Sequence, residues 1–183
     1  MWTVRVATAA GLAILFGPAT GAAVPQTMRA AAIDKAGGAE VITLHTLPVP
    51  QPDADGVLIA MDTVDVAVWD ASVRAHPEEL KHPRFPLVLG TDGSGVIAAV
   101  GSQVHGFKPG DRVYSYMWDN PKGGFYAEYV AVPAKQVGHL PPGLSLRDAG
   151  AIAASALTAI QGVDEARLAA AGRSSRRDSG RKP

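Results

Sequence analysis

Two short stretches place polar groups where they bear on chemistry: Val66-Ala67-Val68-Trp69-Asp70 and Gly90-Thr91-Asp92-Gly93. Neither supplies a metal site. Ala67 has no atom that can ligate or accept a hydrogen bond through its side chain. The Thr91 hydroxyl is a poor zinc ligand, whereas imidazole and thiolate are good ones. The chain has no cysteine, which excludes a disulfide, a thiolate zinc site and a cysteine nucleophile. Its histidines, at positions 45, 76, 82, 105 and 139, share no metal-ligand spacing and read as loop or surface residues. No metal is therefore expected. For Asp70 the plain structural role is to cap the helical turn that follows, with Trp69 packed beside it.

The glycines of Gly90-x-x-Gly93-x-Gly95 do not make a dinucleotide fingerprint. That fingerprint needs Gly-x-Gly-x-x-Gly between a strand and a helix N-terminus, and here a second strand follows. The glycines read as bends in a twisted sheet. No phosphate-binding P-loop, nucleophile elbow or His-Glu-x-x-His helix occurs. Three further residues are candidates. Phe125 and Tyr126, just after Gly123-Gly124, can line a cleft or fill a core. Thr158, in Leu157-Thr158-Ala159-Ile160, lies where a helical threonine bonds a preceding carbonyl.

The elements that must position these residues read mostly as strands. Met28 to Asp34 is a short apolar strand, and Glu40 to Leu47 reads as its partner, stopped by the prolines at 48, 50 and 52. Val57 to Val68 is a long β-branched run, and Asp70 to Ala75 suits one helical turn. Phe85 to Tyr116 reads as strand, glycine-rich bend, strand, tight turn, strand, with Ile97, Ala99 and Val113 inward by alternation. In Lys108-Pro109-Gly110-Asp111, proline presets the first central residue and glycine permits positive φ at the second. Gly124 to Val132 places Phe125, Ala127, Tyr129 and Ala131 on one face. Ser145-Leu146-Arg147-Asp148 is a capping-box-like start, and the uncharged stretch from Ala149 to Val163 suits a buried helix pair. Many short strands with turns between them make the chain mainly β, a barrel or sandwich with short helices and a C-terminal helical segment.

The 183 residues, 47% hydrophobic and 19% charged, leave room for one domain with a real core and hardly for two. Net charge is zero but uneven: residues 1–166 carry −5, and residues 167–183 carry +5. A mildly acidic body gives no support for nucleic-acid binding. The basic end lacks apolar periodicity, as a disordered appendage does and as an out-of-frame extension does. At the other end, an apolar centre at Leu12 to Phe16 precedes small residues at Ala19 to Ala23, which fits a signal cleaved after Ala23 and is too short to span a membrane. The alternative is that translation starts at Met28.

The string FPLVLGTDGSGVIAAVGSQVHGFKPGDRVYSY, with MRAAAIDKAGG before it and GFYAEYVAV after it, resembles the GroES-like domain of the medium-chain dehydrogenase/reductases, in particular the zinc-independent quinone oxidoreductase branch. The resemblance covers Met28 to Ala166. It implies a GroES-like, partly open β-barrel at residues 28–150 and the start of a hinge into a cofactor domain at 151–166. It leaves 1–27 as an N-terminal extension and 167–183 as a basic tail. Zinc members of the family carry a cysteine at the Ala67 position and a histidine at the Thr91 position, so the resemblance points to a metal-free enzyme. It further implies quinone or conjugated-carbonyl reduction by hydride transfer from NADPH, with Trp69, Asp70, Thr91, Asp92, Phe125 and Tyr126 at the substrate cleft. Thr158 would stand near the nicotinamide, and no catalytic side chain is assigned. The sequence ends where the family's dinucleotide domain begins, so the expectation is a truncated chain inactive alone. The alternative is a non-catalytic GroES-like interaction module. A homodimer is compatible with either. Location follows the start site: cytoplasmic from Met28, exported if residues 1–23 are a signal.

Overall fold

The computed structural model describes residues 23–81 and 83–179. The signal-like stretch at residues 1–22 and His82 lie outside the described residues. Strands β1 (Thr27–Ile33), β2 (Thr43–Pro48) and β4 (Leu87–Val88) form one antiparallel sheet in the order β2-β1-β4. Strands β3 (Gly56–Val64), β5 (Asp92–Val100), β6 (Arg112–Tyr116), β7 (Tyr129–Pro133) and β8 (Val137–His139) form a second, in the order β7-β3-β5-β6-β8. Helices α1 (Val68–Ala75), α2 (Leu146–Gly150) and α3 (Ala153–Ser179) complete the fold. The architecture is the mainly β, partly open arrangement that the sequence implies. No described helix is long and apolar enough to cross a membrane.

The two faces of the large sheet bury different clusters. One holds Val57, Ile59, Ile97, Val113, Phe125, Val130 and Val132. The other packs Leu58 and Ala131 against Met28 and Val49. Ile97 and Val113 face inward as expected, but Ala99 does not join them. Leu58 pairs with Ala99 while Ile59 pairs with Ile97, so Ala98 is an extra residue and the alternation slips. Ala98 and Ala99 therefore pack with the Leu58 cluster.

Other expectations shift for equally local reasons. Strand β3 stops at Val64 rather than Val68, because the Asp65 carboxylate takes the Val66 N–H at 2.9 Å. The expected strand at Gly124 to Val132 is regular only from Tyr129. Before it, the backbone laces the two sheets together: Phe125 N–H donates to Gly90 C=O (3.0 Å), Tyr126 N–H to Leu89 C=O (2.9 Å), and Ala31 N–H to Tyr126 C=O (2.7 Å). Groups bonded to several elements cannot hold one ladder. The turn at Lys108-Pro109-Gly110-Asp111 forms as read, with Gly110 at φ +93° and Asp111 N–H on Lys108 C=O at 3.1 Å.

The C-terminal helices depart most from expectation. Ser145 Oγ accepts the Asp148 N–H at 3.1 Å, the cap the sequence suggests, and Ala149 and Gly150 are buried. Among the described side chains of helix α3, however, only Ala153 and Ala154 are buried, and Leu157, Ile160 and Val163 stand 43%, 61% and 50% exposed. The expected buried pair is thus half realised, because among the described residues nothing covers the outer face. The α3 backbone continues into the basic segment as far as Ser179, carried by alanine and arginine, both strong helix formers.

Candidate functional site

Helix α1 begins where β3 ends, and it presents Trp69 and Asp70 toward the start of β5. Asp70, at the third position of α1, is buried and accepts the Ala67 N–H through Oδ2 at 2.8 Å. Its carboxylate thereby satisfies a backbone donor at the helix start and favours the positive helix end. The same oxygen accepts the Tyr126 hydroxyl at 2.7 Å. Asp70 is therefore the cap that its position suggests, with an additional phenol bound to it.

A second chain of hydrogen bonds runs beside the first. Trp69 Nε1–H donates to Thr91 Oγ1 at 2.9 Å, and Thr91 Oγ1–H donates to Asp92 Oδ1 at 3.3 Å. Asp92 Oδ2 accepts the Ala154 N–H at 2.9 Å. Asp92, 1% exposed, thus ties the first turn of α3 to the large sheet across 62 residues. Gly90, at φ +87°, lets the chain turn into Thr91, and the Tyr126 ring fills the space a Cβ there would take.

Burial dominates the electrostatics. It pushes the Asp92 carboxyl above the usual range; the Ala154 N–H opposes the shift, and the neighbouring charges of Asp65 and Asp70 add to it. Tyr126 is pushed far above an ordinary phenol by burial first, then by its bond to Asp70. Tyr116 is raised by burial and by Asp92. These phenols stay protonated at neutral pH, so they can donate hydrogen bonds but cannot act as bases there.

The structure brings Trp69, Asp70, Thr91, Asp92 and Tyr126 into two adjoining networks. It does not bring Phe125 to them: that side chain is fully buried in the core. Thr158 is exposed on α3, its hydroxyl donating to Ala154 C=O at 2.9 Å, the back-bonded arrangement open to any helical threonine. Trp118 joins the site although sequence reasoning missed it. Its ring meets Trp69 edge-to-face, centroids 6.2 Å apart at 63°. A tryptophan next to the end of a strand, level with a helix that carries another, was the available signal.

Two grooves flank this corner. One, of about 420 Å³, is apolar and runs between the β6–β8 edge and α3, lined by Tyr114, Tyr116, Leu144, Ile152, Leu157 and Ile160. The other, of about 340 Å³, has Tyr116, Met117 and Trp118 as its floor. No group of three or more metal-ligating side chains occurs among the described residues. Of the two residues that the sequence weighs as metal-ligand positions, Ala67 has no donor atom and the Thr91 hydroxyl is engaged on both sides. This donor set does not fit a metal ion.

The alcohol dehydrogenase GroES-like domain model matches residues 53–142. The chain is 35% identical over 148 residues to a quinone oxidoreductase of Lama guanicoe, covering 80% of this chain and 44% of that protein. It is 34% identical over 153 residues to a 2-methylene-furan-3-one reductase of Solanum lycopersicum, covering 80% and 39%. The solved quinone oxidoreductase of Coxiella burnetii superposes with a TM-score of 0.71 at 27% identity, over 77% of this chain and 45% of that one. The chain thus spans about two fifths of the length of the curated relatives it matches. Matching domain, relatives and superposition agree with one another: the chain belongs to the medium-chain dehydrogenase/reductase family and carries its GroES-like domain, on the quinone oxidoreductase side.

Proposed function

We propose that the chain is the substrate-side portion of a zinc-independent oxidoreductase that reduces quinones or conjugated carbonyl compounds by hydride transfer from NADPH, and that it is inactive alone. The observation that carries this reading is the Trp69–Thr91–Asp92 chain, in which the hydroxyl of Thr91, the residue that the resemblance sets at a zinc-ligand position, is engaged by hydrogen bonds on both sides. The protonated phenols and engaged carboxylates supply neither nucleophile nor base, which suits chemistry done by a coenzyme while the protein binds and orients. The described residues contain no Gly-x-Gly-x-x-Gly turn between a strand and a helix, so they do not fit the coenzyme's pyrophosphate. In this reading the chain contributes the cleft wall, residues Trp69, Asp70, Thr91, Asp92 and Tyr126, and α3 leads toward the coenzyme-binding half with Thr158 on it.

The test is to join the chain to the coenzyme-binding half of the Lama guanicoe quinone oxidoreductase and follow NADPH oxidation with 2-methyl-1,4-naphthoquinone. The fusion should turn over, insensitive to chelators, while the chain alone neither turns over nor binds NADPH. Steady turnover by the chain alone, or loss of the fusion's activity on chelation, overturns the proposal. The exposed apolar row on α3 supports the second reading, a non-catalytic module that covers that row with a partner. A fusion that binds both ligands yet transfers no hydride would favour it.

A further inference from the structure

The groove of about 340 Å³ beside Trp118 has the size of a small-molecule site, roughly 300–1,000 Å³. Its floor is aromatic and soft: Tyr116, Met117 and the 38% exposed ring of Trp118, which Trp69 steadies edge-to-face. An indole held this way offers a flat, electron-rich surface on which a planar ring stacks with little loss of side-chain freedom.

The polar lining is lopsided. Its two carboxylates are engaged: Glu79 accepts the Ser72 hydroxyl at 3.2 Å, and Asp119 accepts the Lys81 backbone N–H at 3.0 Å. The donors are not. Among the described residues, Trp118 Nε1, the Tyr116 phenol, the Gln136 amide and the Lys81 ammonium have no protein acceptor, and Gln136 contributes only its backbone carbonyl, to Ser115. Burial holds Tyr116 protonated, so its donor persists well above neutral pH. A flat floor with free donors around it matches a flat ligand with acceptors at its edge.

We propose that this groove is a subsite for planar, fused-ring compounds bearing ring carbonyls, and that Trp118 selects them over small open-chain enones. The proposal rests on the carbonyl-reducing reading above and narrows it. A fused ring covers the indole face, whereas an open-chain enone leaves most of that face wet and gains little from it.

The experiment reads binding, not turnover. The full 183-residue chain, labelled with ¹⁵N, is titrated with 2-methyl-1,4-naphthoquinone and separately with 3-penten-2-one, following the indole N–H signals of its three tryptophans. Trp69→Phe and Trp118→Phe assign them, and the absence of cysteine removes thiol adducts. The Trp118 signal should shift saturably with the naphthoquinone. Trp118→Ala should weaken binding about tenfold and Trp118→Phe about threefold, as expected for loss and partial loss of a stacking partner. The enone should bind at least tenfold more weakly. A Trp118 signal that does not move, an alanine variant within twofold of wild type, or equal affinity for both compounds overturns the subsite. None of these outcomes bears on hydride transfer, which the fusion experiment tests independently.

Discussion

Asp92 offers a sharp test of how the site is held together. It is almost wholly buried, and its two oxygens take the Thr91 hydroxyl and the Ala154 N–H. Asp92→Ala strands a buried helix-end donor, which costs about 1–3 kcal/mol, and frees the Thr91 hydroxyl, worth about 1 kcal/mol more. Relief of a buried charge near Asp65 and Asp70 offsets part of this. The net loss should be about 2 kcal/mol, or roughly 4–8 °C in Tm for a chain of this size. Asp92→Asn behaves differently, because its oxygen can still accept the Ala154 N–H and its amide can face Thr91. It removes only the charge. Two effects oppose each other there: the positive end of α3 favours the carboxylate, while burial and two like charges disfavour it. Since the folded Asp92 titrates above its ordinary value, the second effect wins. Its contribution to stability is complete below the unfolded value and is lost as pH rises through the folded one. Asp92→Asn should therefore be more stable than wild type at neutral pH, and the gap should close as pH falls toward the ordinary aspartate range. Urea unfolding of both variants across that interval measures it. An asparagine variant as unstable as the alanine one at neutral pH would refute the reasoning, and would mean that the charge on the helix end is what stabilises.

Gly90→Ala should cost about 3 kcal/mol, combining the left-handed backbone penalty with displacement of the Tyr126 ring; a Tm within 2 °C of wild type contradicts this. Tyr126→Phe leaves Asp70 with one donor fewer and should cost about 1–2 kcal/mol by denaturant unfolding. The raised Tyr126 pKa means that its stabilisation is complete below the ordinary phenol value and lost only at higher pH. In an ultraviolet titration, one of the four tyrosines should lag furthest behind the others, and Tyr126→Phe should remove that laggard.

What could be read from the residues was set by how local its cause is. The Lys108–Asp111 turn and the Ser145 cap close within four residues, so residue type alone decides them. The Asp70 cap is equally local, and it too forms as read. The slip at Ala98 has no such cause; it arises from the pairing of β5 with β3, some forty residues away, and so it reverses Ala99 without any mark at Ala99 itself. Phe125 reads from its neighbours as either a cleft or a core aromatic, and its backbone bond to Gly90 draws it under the large sheet, a choice that residue type alone does not make. The site's own links, Trp69 to Thr91 and Asp92 to Ala154, span 22 and 62 residues and depend on the whole topology.

Helix α3 shows what an apolar pattern does and does not say. A helix apolar all round asks to be covered, but periodicity cannot name the cover. Among the described residues the sheet buries only Ala153 and Ala154, while Leu157, Ile160 and Val163, with Ile152 just before the helix, remain open, beside a groove that four residues of α3 help to line. Leaving that row in water is unfavourable by about 25 cal/mol for each Å² that a partner surface would cover. Asp92 fixes where such a surface must lie. Because it holds the first turn of α3 against the start of β5, anything packed along the exposed row is positioned from the Trp69–Thr91 corner, through two hydrogen bonds rather than through a flexible linker. Asp92→Ala should then loosen α3 relative to Trp69 even where the sheets stay folded. Faster amide exchange at Ala154, without faster exchange in β3 or β5, is the expected signature; uniform acceleration across all three would mean that the carboxylate stabilises the fold at large and positions nothing.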